Sequence, residues 1–226
     1  NESGLSEQMG LVGMPTVAED VMVARDIELA RYTGGKVHIC HISSARGVEL
    51  VRRAKSDGFQ VSCEVTPHHL VLTESAVEGF NTDAKMSPPL RGEEDVQALI
   101  EGLADGTIDA IASDHAPHEL DSKQKEFAEA AMGILGLQTS LPLVLELVEA
   151  GKISRRRAIE AMSAKPAEVF GLEGGSLATG AVADVVIVDP KRKWVFDSEV
   201  NASLSNNSPF LGRQLCGAAD TVLVGG

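Results

Sequence analysis

The chain has 226 residues, 43% of them hydrophobic and 23% charged, with a formal net charge of −13. That acidic balance disfavours a nucleic-acid partner, which needs clustered Lys and Arg, yet leaves room for a small anionic substrate held by a local metal or Arg. No run of about 18 apolar residues occurs, so no membrane span is expected.

The opening Asn1-Glu2-Ser3-Gly4 lacks a Met, a basic region and an apolar h-region, so no signal peptide is visible and a natural start is not expected there. Cys40, Cys63 and Cys216 are odd in number and widely spaced, with no CxxC pair. They read as reduced thiols of a cytoplasmic protein, two of them buried in apolar strand-like runs.

In chain order, residues 16–33 predict a helix, with Thr16 and Glu19 at capping-box spacing and Gly34-Gly35 as its stop. Lys36–Ile42 reads as a strand, Ala45–Ser56 as a helix ended by Gly58, and Phe59–Thr66 as a second strand. A long loop then carries Pro67-His68-His69 and Ser87-Pro88-Pro89-Leu90-Arg91. Glu93–Ala104 reads as a helix and Thr107–Ser113 as a third strand, followed by helices over 136–150 and 154–164, the last opened by Ser154. Beyond residue 170, Ala183–Val188, Trp194–Phe196 and Thr221–Val224 look like short antiparallel strands.

Strands alternating with helices imply a parallel sheet, whose strand ends gather polar residues at one rim. Here that rim collects His41, Thr66-Pro67-His68 and Asp114. A (β/α)₈ domain typically takes about 250 residues, and only about 165 precede the β tail. The expected fold is therefore α/β, a partial (β/α)₈ barrel over 1–172 with a small β subdomain over 173–226.

Asp114-His115-Ala116-Pro117-His118 places a carboxylate at a strand end and an imidazole four residues on. A carboxylate there can ligate zinc and act as general base, then general acid, for water attacking a carbonyl. It can equally cap the following loop, and the residues alone leave both readings open. Alternation puts Val37, Ile39 and His41 on one face, and Ala110, Ala112 and Asp114 on one face. His41 and Asp114 meet at the barrel mouth if both faces point inward. Ser87 can offer a hydroxyl and Arg91 can pair with a carboxylate, or the segment is a stiff loop. Met132-Gly133 can bring backbone polar groups close to a ring, or simply precede a helix.

In order, His41-Ile42-Ser43, Glu64-Val65-Thr66-Pro67-His68-His69, Lys85-Met86-Ser87-Pro88-Pro89-Leu90-Arg91 and Asp114-His115-Ala116-Pro117-His118 resemble the second half of bacterial dihydroorotases, in the amidohydrolase superfamily. Gly180–Pro190 is similar to the family's C-terminal β segment. The resemblance implies His41 as a metal ligand, Asp114 as a metal contact and proton shuttle, and His118 as the contact to the substrate carboxylate. It also implies Met132 and Gly133 as backbone contacts to the dihydropyrimidine ring, and Ser87 at a substrate position that is often Asn.

The implied cofactor is Zn²⁺, one or two ions per complete site, and the implied reaction is the reversible hydrolysis of (S)-dihydroorotate to N-carbamoyl-L-aspartate. The family's HxH, its bridging Lys or Asp and its fifth-strand His have no counterpart here. The chain alone is therefore expected to bind metal poorly and not turn over. A hydantoinase or allantoinase is the alternative within the superfamily, with His118 as the discriminator. A non-catalytic partner of aspartate transcarbamoylase is the alternative outside catalysis. The expected partners are a small-molecule substrate, with homodimer formation or aspartate transcarbamoylase association left open.

Overall fold

The computed structural model describes residues 1–226. Its elements run α1 (Gly4–Gln8), α2 (Thr16–Thr33), β1 (Val37–Ile39), α3 (Ala45–Ser56), β2 (Val61–Val65), α4 (Pro67–Val71), α5 (Glu93–Asp105) and β3 (Ala110–Ile111). They continue through α6 (Leu120–Lys123), α7 (Leu137–Glu149), α8 (Arg155–Ile159), α9 (Lys165–Phe170), β4 (Val185–Phe196) and β5 (Arg213–Leu223). No helix is long and apolar enough to cross a membrane.

β1, β2 and β3 form a parallel sheet in that order, with Ile39 opposite Cys63 and Val65 opposite Ile111. Each strand is shorter than its apolar run predicts, because the rim residues bend off the ladder. Single rungs persist beyond the strand ends, from Ile42 N–H to Glu64 O at 2.9 Å and from Ala112 N–H to Val65 O at 3.0 Å.

Val61, Cys63, Val65 and Ile111 share a buried core with Val48 and Val51 of α3 and Leu99 and Leu103 of α5. Val37 and Ile39 pack against that same core. This face therefore looks at the helix layer, and His38, Ser62, Glu64 and Ala110 take the opposite one. The Val37/Ile39 and Ala110/Ala112 faces are opposite faces of one sheet, so alternation alone does not bring His41 and Asp114 together. Cys40, expected to be buried, is exposed, while Cys63 is fully buried.

Two caps differ from expectation. The N-cap of α2 is Pro15, whose side chain has no acceptor to offer, and the Glu19 carboxylate binds Ser43 N–H instead of closing a capping box. Pro67-His68-His69 is helical rather than a loop: Thr66 Oγ1 accepts the His69 N–H at 3.3 Å and Pro67 occupies the first turn, where a missing N–H costs nothing. Elsewhere the signals hold, with α3 spanning its predicted range, Gly106 closing α5 in a left-handed conformation and Ser154 capping α8.

The tail is one antiparallel hairpin, β4 against β5, rather than several short strands. Its register shifts between Asp189 and Lys193, around Pro190, which is where the sequence pattern breaks. Phe196, Phe210 and Leu215 share a second core with Met86, Ile134 and Leu143, so the tail packs directly onto the loops beyond β2 and β3.

Candidate active site

His41 and Asp114 leave the sheet in the same way. His41 has φ 38° and Asp114 φ 42°, left-handed values that side chains seldom adopt and that tend to mark functional positions. Both lie just past the carboxyl ends of their strands, with β2 between them. The left-handed turn, not strand alternation, sets their direction.

The His41 loop is clamped from α2. Glu19 accepts the N–H groups of Ser43 (2.7 Å) and Ser44 (3.2 Å) and the Ser43 hydroxyl. Ser44 caps α3 through Gly47 N–H at 3.0 Å and donates to Asp20 at 2.6 Å. Arg91 is 1% exposed and donates to Ser43 Oγ, Met14 O and Glu19. Arg91 does pair with a carboxylate, that of Glu19, and its guanidinium is thereby committed to holding this loop.

Three imidazoles cluster behind the loop. His69 lies between Thr66 Oγ1, 2.7 Å from Nδ1, and Pro88 O, 3.0 Å from Nε2. The carbonyl can only accept, so Nε2 carries the proton and Nδ1 accepts from Thr66. Burial pulls the His69 pKa down to about 4. His68 is pushed well below its ordinary value by burial, then by His69 and His41. His41 Nδ1 and His68 Nε2 are buried without a hydrogen-bond partner.

Burial raises the Cys40 thiol pKa, and the negative charges of Glu64 and Asp114 add to the shift. The ligand atoms of His38, Cys40 and Glu64 lie within 4.8 Å of one another, with His38 also bonded to Ser62 at 2.8 Å. Period-two alternation sets His38 and Cys40 on one face of the chain at β1, the face that Glu64 takes in β2, and that spacing is the sequence signal for the trio.

His118, Met132 and Gly133 do come together. His118 Nε2 lies 2.8 Å from Met132 O. Gly133 has φ 149°, and a Cβ there would sit 2.6 Å from His118 Nε2 and 2.7 Å from the Ala116 Cβ, so only glycine fits. Its N–H donates to Lys85 O at 2.9 Å, and its carbonyl accepts from Lys123 Nζ (3.1 Å) and Asn207 Nδ2 (3.0 Å). Gly133 thus has its own polar groups satisfied within the chain, and Met132 N–H is the free donor of the pair.

Two buried ammoniums hold this loop. Lys85 Nζ donates to Phe127 O, Ala128 O and Ala130 O, and Lys123 Nζ to Ala131 O as well as Gly133 O. Burial lowers both pKa values. Ser87 is exposed nearby in sequence, two residues after Lys85. His115 Nδ1 accepts Gly136 N–H at 3.2 Å at the start of α7, a structural role.

A buried, partnerless imidazole nitrogen at a strand end suits a metal, and so does a strand-end carboxylate. His41 and Asp114 therefore fit a share of a zinc site, while a catalytic zinc usually takes three protein ligands.

The sequence profile of the amidohydrolase family matches residues 7–226. The chain belongs to the amidohydrolase family. Among curated amidohydrolases it is 54% identical to a dihydroorotase of Geotalea daltonii and 50% identical to one of Pelobacter propionicus, each over all of this chain and 53% of the relative. The chain thus spans about half the length of the curated relatives it matches. Among solved structures, an L-hydantoinase (dihydropyrimidinase) of Arthrobacter aurescens superposes with TM-score 0.90 at 35% identity, over 94% of this chain and 49% of that one. A dihydropyrimidinase of Brevibacillus agri gives TM-score 0.88 at 27% identity, over 94% of this chain and 48% of that one.

Proposed function

We propose that this amidohydrolase chain carries the carboxyl-terminal part of a dihydroorotase, with residues 1–172 and their three parallel strands forming the second half of a (β/α)₈ barrel and residues 173–226 a small β subdomain. The reaction is the reversible hydrolysis of (S)-dihydroorotate to N-carbamoyl-L-aspartate, and the free cysteines suit the reducing cytoplasm. The observation that carries the substrate is the His118–Met132 contact. Nε2–H is bound to the Met132 carbonyl, which leaves Nδ1 as the atom free to meet a ring carboxylate.

The other roles follow. His41 and Asp114 hold part of a zinc centre. When bound, zinc supplies Lewis acidity at the scissile ring carbonyl. Asp114 takes the proton of the attacking water and passes it to the leaving ring nitrogen, as base and then acid. Met132 N–H and the Ser87 hydroxyl orient the ring.

A hydantoinase is the second reading, favoured by the TM-score of 0.90 to the Arthrobacter aurescens protein. The test is turnover by the intact polypeptide that contains these residues, loaded with zinc. Dihydroorotate hydrolysis with little action on hydantoin is the expected result. Preference for hydantoin overturns the dihydroorotase reading, and turnover of neither by a zinc-loaded protein favours a non-catalytic partner.

A further inference from the structure

Asn207 lies in the segment joining β4 to β5, far in sequence from the residues assigned to the site, and only 4% of it is exposed. Its side chain is fully engaged. Oδ1 accepts the His118 N–H at 3.0 Å, and Nδ2 donates to Ala116 O at 2.8 Å and Gly133 O at 3.0 Å. Its backbone carbonyl accepts Leu135 N–H at 3.0 Å. The carboxamide has one orientation only, because turning it over would set NH₂ against N–H and oxygen against two carbonyls.

These bonds span two loops. One carries His118, and the other carries Met132 and Gly133. Apart from Asn207, the bonds between the two loops are Ala116 N–H to Ile134 O at 3.0 Å, the His118–Met132 contact at 2.8 Å, and His115 Nδ1, which accepts the N–H groups of Gly136 at 3.2 Å and Leu137 at 3.4 Å; of these only the His118–Met132 contact engages either His118 or Met132 directly. A carboxylate held by His118, with its ring held by Met132 N–H, needs those two donors at one fixed spacing. Small displacements of such donors cost binding far out of proportion to their size.

We propose that Asn207 is a positioning residue that fixes the spacing between His118 and the Met132–Gly133 backbone, and so sets recognition of cyclic amides that bear a carboxylate. The inference rests on the dihydroorotase reading. It gives the β subdomain a part in substrate recognition.

The experiment compares the intact zinc-loaded protein with Asn207→Ser and Asn207→Asp. Serine can keep one bond and leaves space for water. Aspartate keeps the acceptor for His118 N–H but turns an oxygen toward the two carbonyls. The expected result is a KM for dihydroorotate raised by about tenfold or more, with kcat falling much less and zinc content unchanged. A merely structural role would lower the active fraction, so kcat would fall at constant KM, and that outcome overturns the proposal.

Hydrogen exchange on the wild type covers the case in which both variants fail to fold. Orotate, the planar carboxylate-bearing probe, should slow exchange at 114–118, 132–136 and 205–208 together. Slowing of the first two without the third overturns the proposal and leaves the dihydroorotase reading standing. A wild type that binds hydantoin and not orotate overturns that reading, and the proposal falls with it.

Discussion

The Glu19 carboxylate accepts the backbone N–H of Ser43 at 2.7 Å, two residues beyond His41, and also pairs with the buried Arg91 at 3.3 Å. One side chain of α2 thereby holds the turn that His41 enters at φ 38°. Removing it strands two backbone donors and a guanidinium. Glu19→Ala is expected to cost about 3–5 kcal/mol, the usual penalty for leaving one partner of a buried pair uncompensated. Glu19→Gln keeps an acceptor and should cost less. Urea unfolding of the two variants measures this, and equal midpoints for Ala and wild type would refute the clamp.

His41 and Asp114 should separate by assay. His41→Ala removes a ligand with no other buried partner and should lower zinc content and activity together. Asp114→Asn keeps an oxygen near the metal but cannot shuttle a proton. It should retain much of the zinc while losing about 10²–10⁴-fold in kcat. Parallel metal analysis and turnover assays read both. An active Asp114→Asn variant would remove Asp114 from the proton path.

Gly133→Ala tests the substrate loop. The added methyl would meet His118 Nε2 at 2.6 Å and the Ala116 Cβ at 2.7 Å, at a φ of 149° that L-residues avoid. Because residues 132–133 lie outside the main core, the strain should appear in substrate affinity before stability. The expected outcome is a KM rise of about tenfold, with a smaller change in thermal midpoint. An unchanged KM would show that the loop is not a binding element.

The longer helices of this fold were legible because their end signals are local. Gly34 and Ser154 each sit where a single residue type ends or begins a helix. Thr66-Pro67 was an equally local signal for α4, but the proline drew a loop reading. The three strands were legible as apolar runs, although not which face meets the helices, since both faces of a short parallel strand can be apolar. His41 and Asp114 were legible only through the family motif, because a left-handed backbone at a strand end overrides alternation and leaves no mark in composition. Glu19, Lys85, Lys123 and Asn207 were invisible as site-builders. Each acts through contacts across at least eight and up to ninety-one residues, and a single sequence carries no trace of such pairs.

The buried His69 makes stability depend on pH in a direction that can be worked out. Its pKa falls from 6.5 to about 4 on folding, chiefly through burial. Above pH 6.5 both states are neutral and the full stability is present. As pH falls below that value the unfolded chain takes a proton that the folded protein refuses. Stability then drops by about 1.4 kcal/mol per pH unit until the folded imidazole itself titrates near pH 4. His68, lowered for the same reason, steepens the slope. Asp83, whose pKa is raised by burial, works the other way, and Asp105, lowered mainly by its bonds to Thr107 and Arg52, adds loss only in the carboxylate range. Urea midpoints measured from pH 7 to pH 5 should therefore fall, and His69→Gln, which cannot titrate, should flatten the slope. A wild-type curve level across that window would mean that the Thr66–His69–Pro88 bridge opens readily enough to admit the proton.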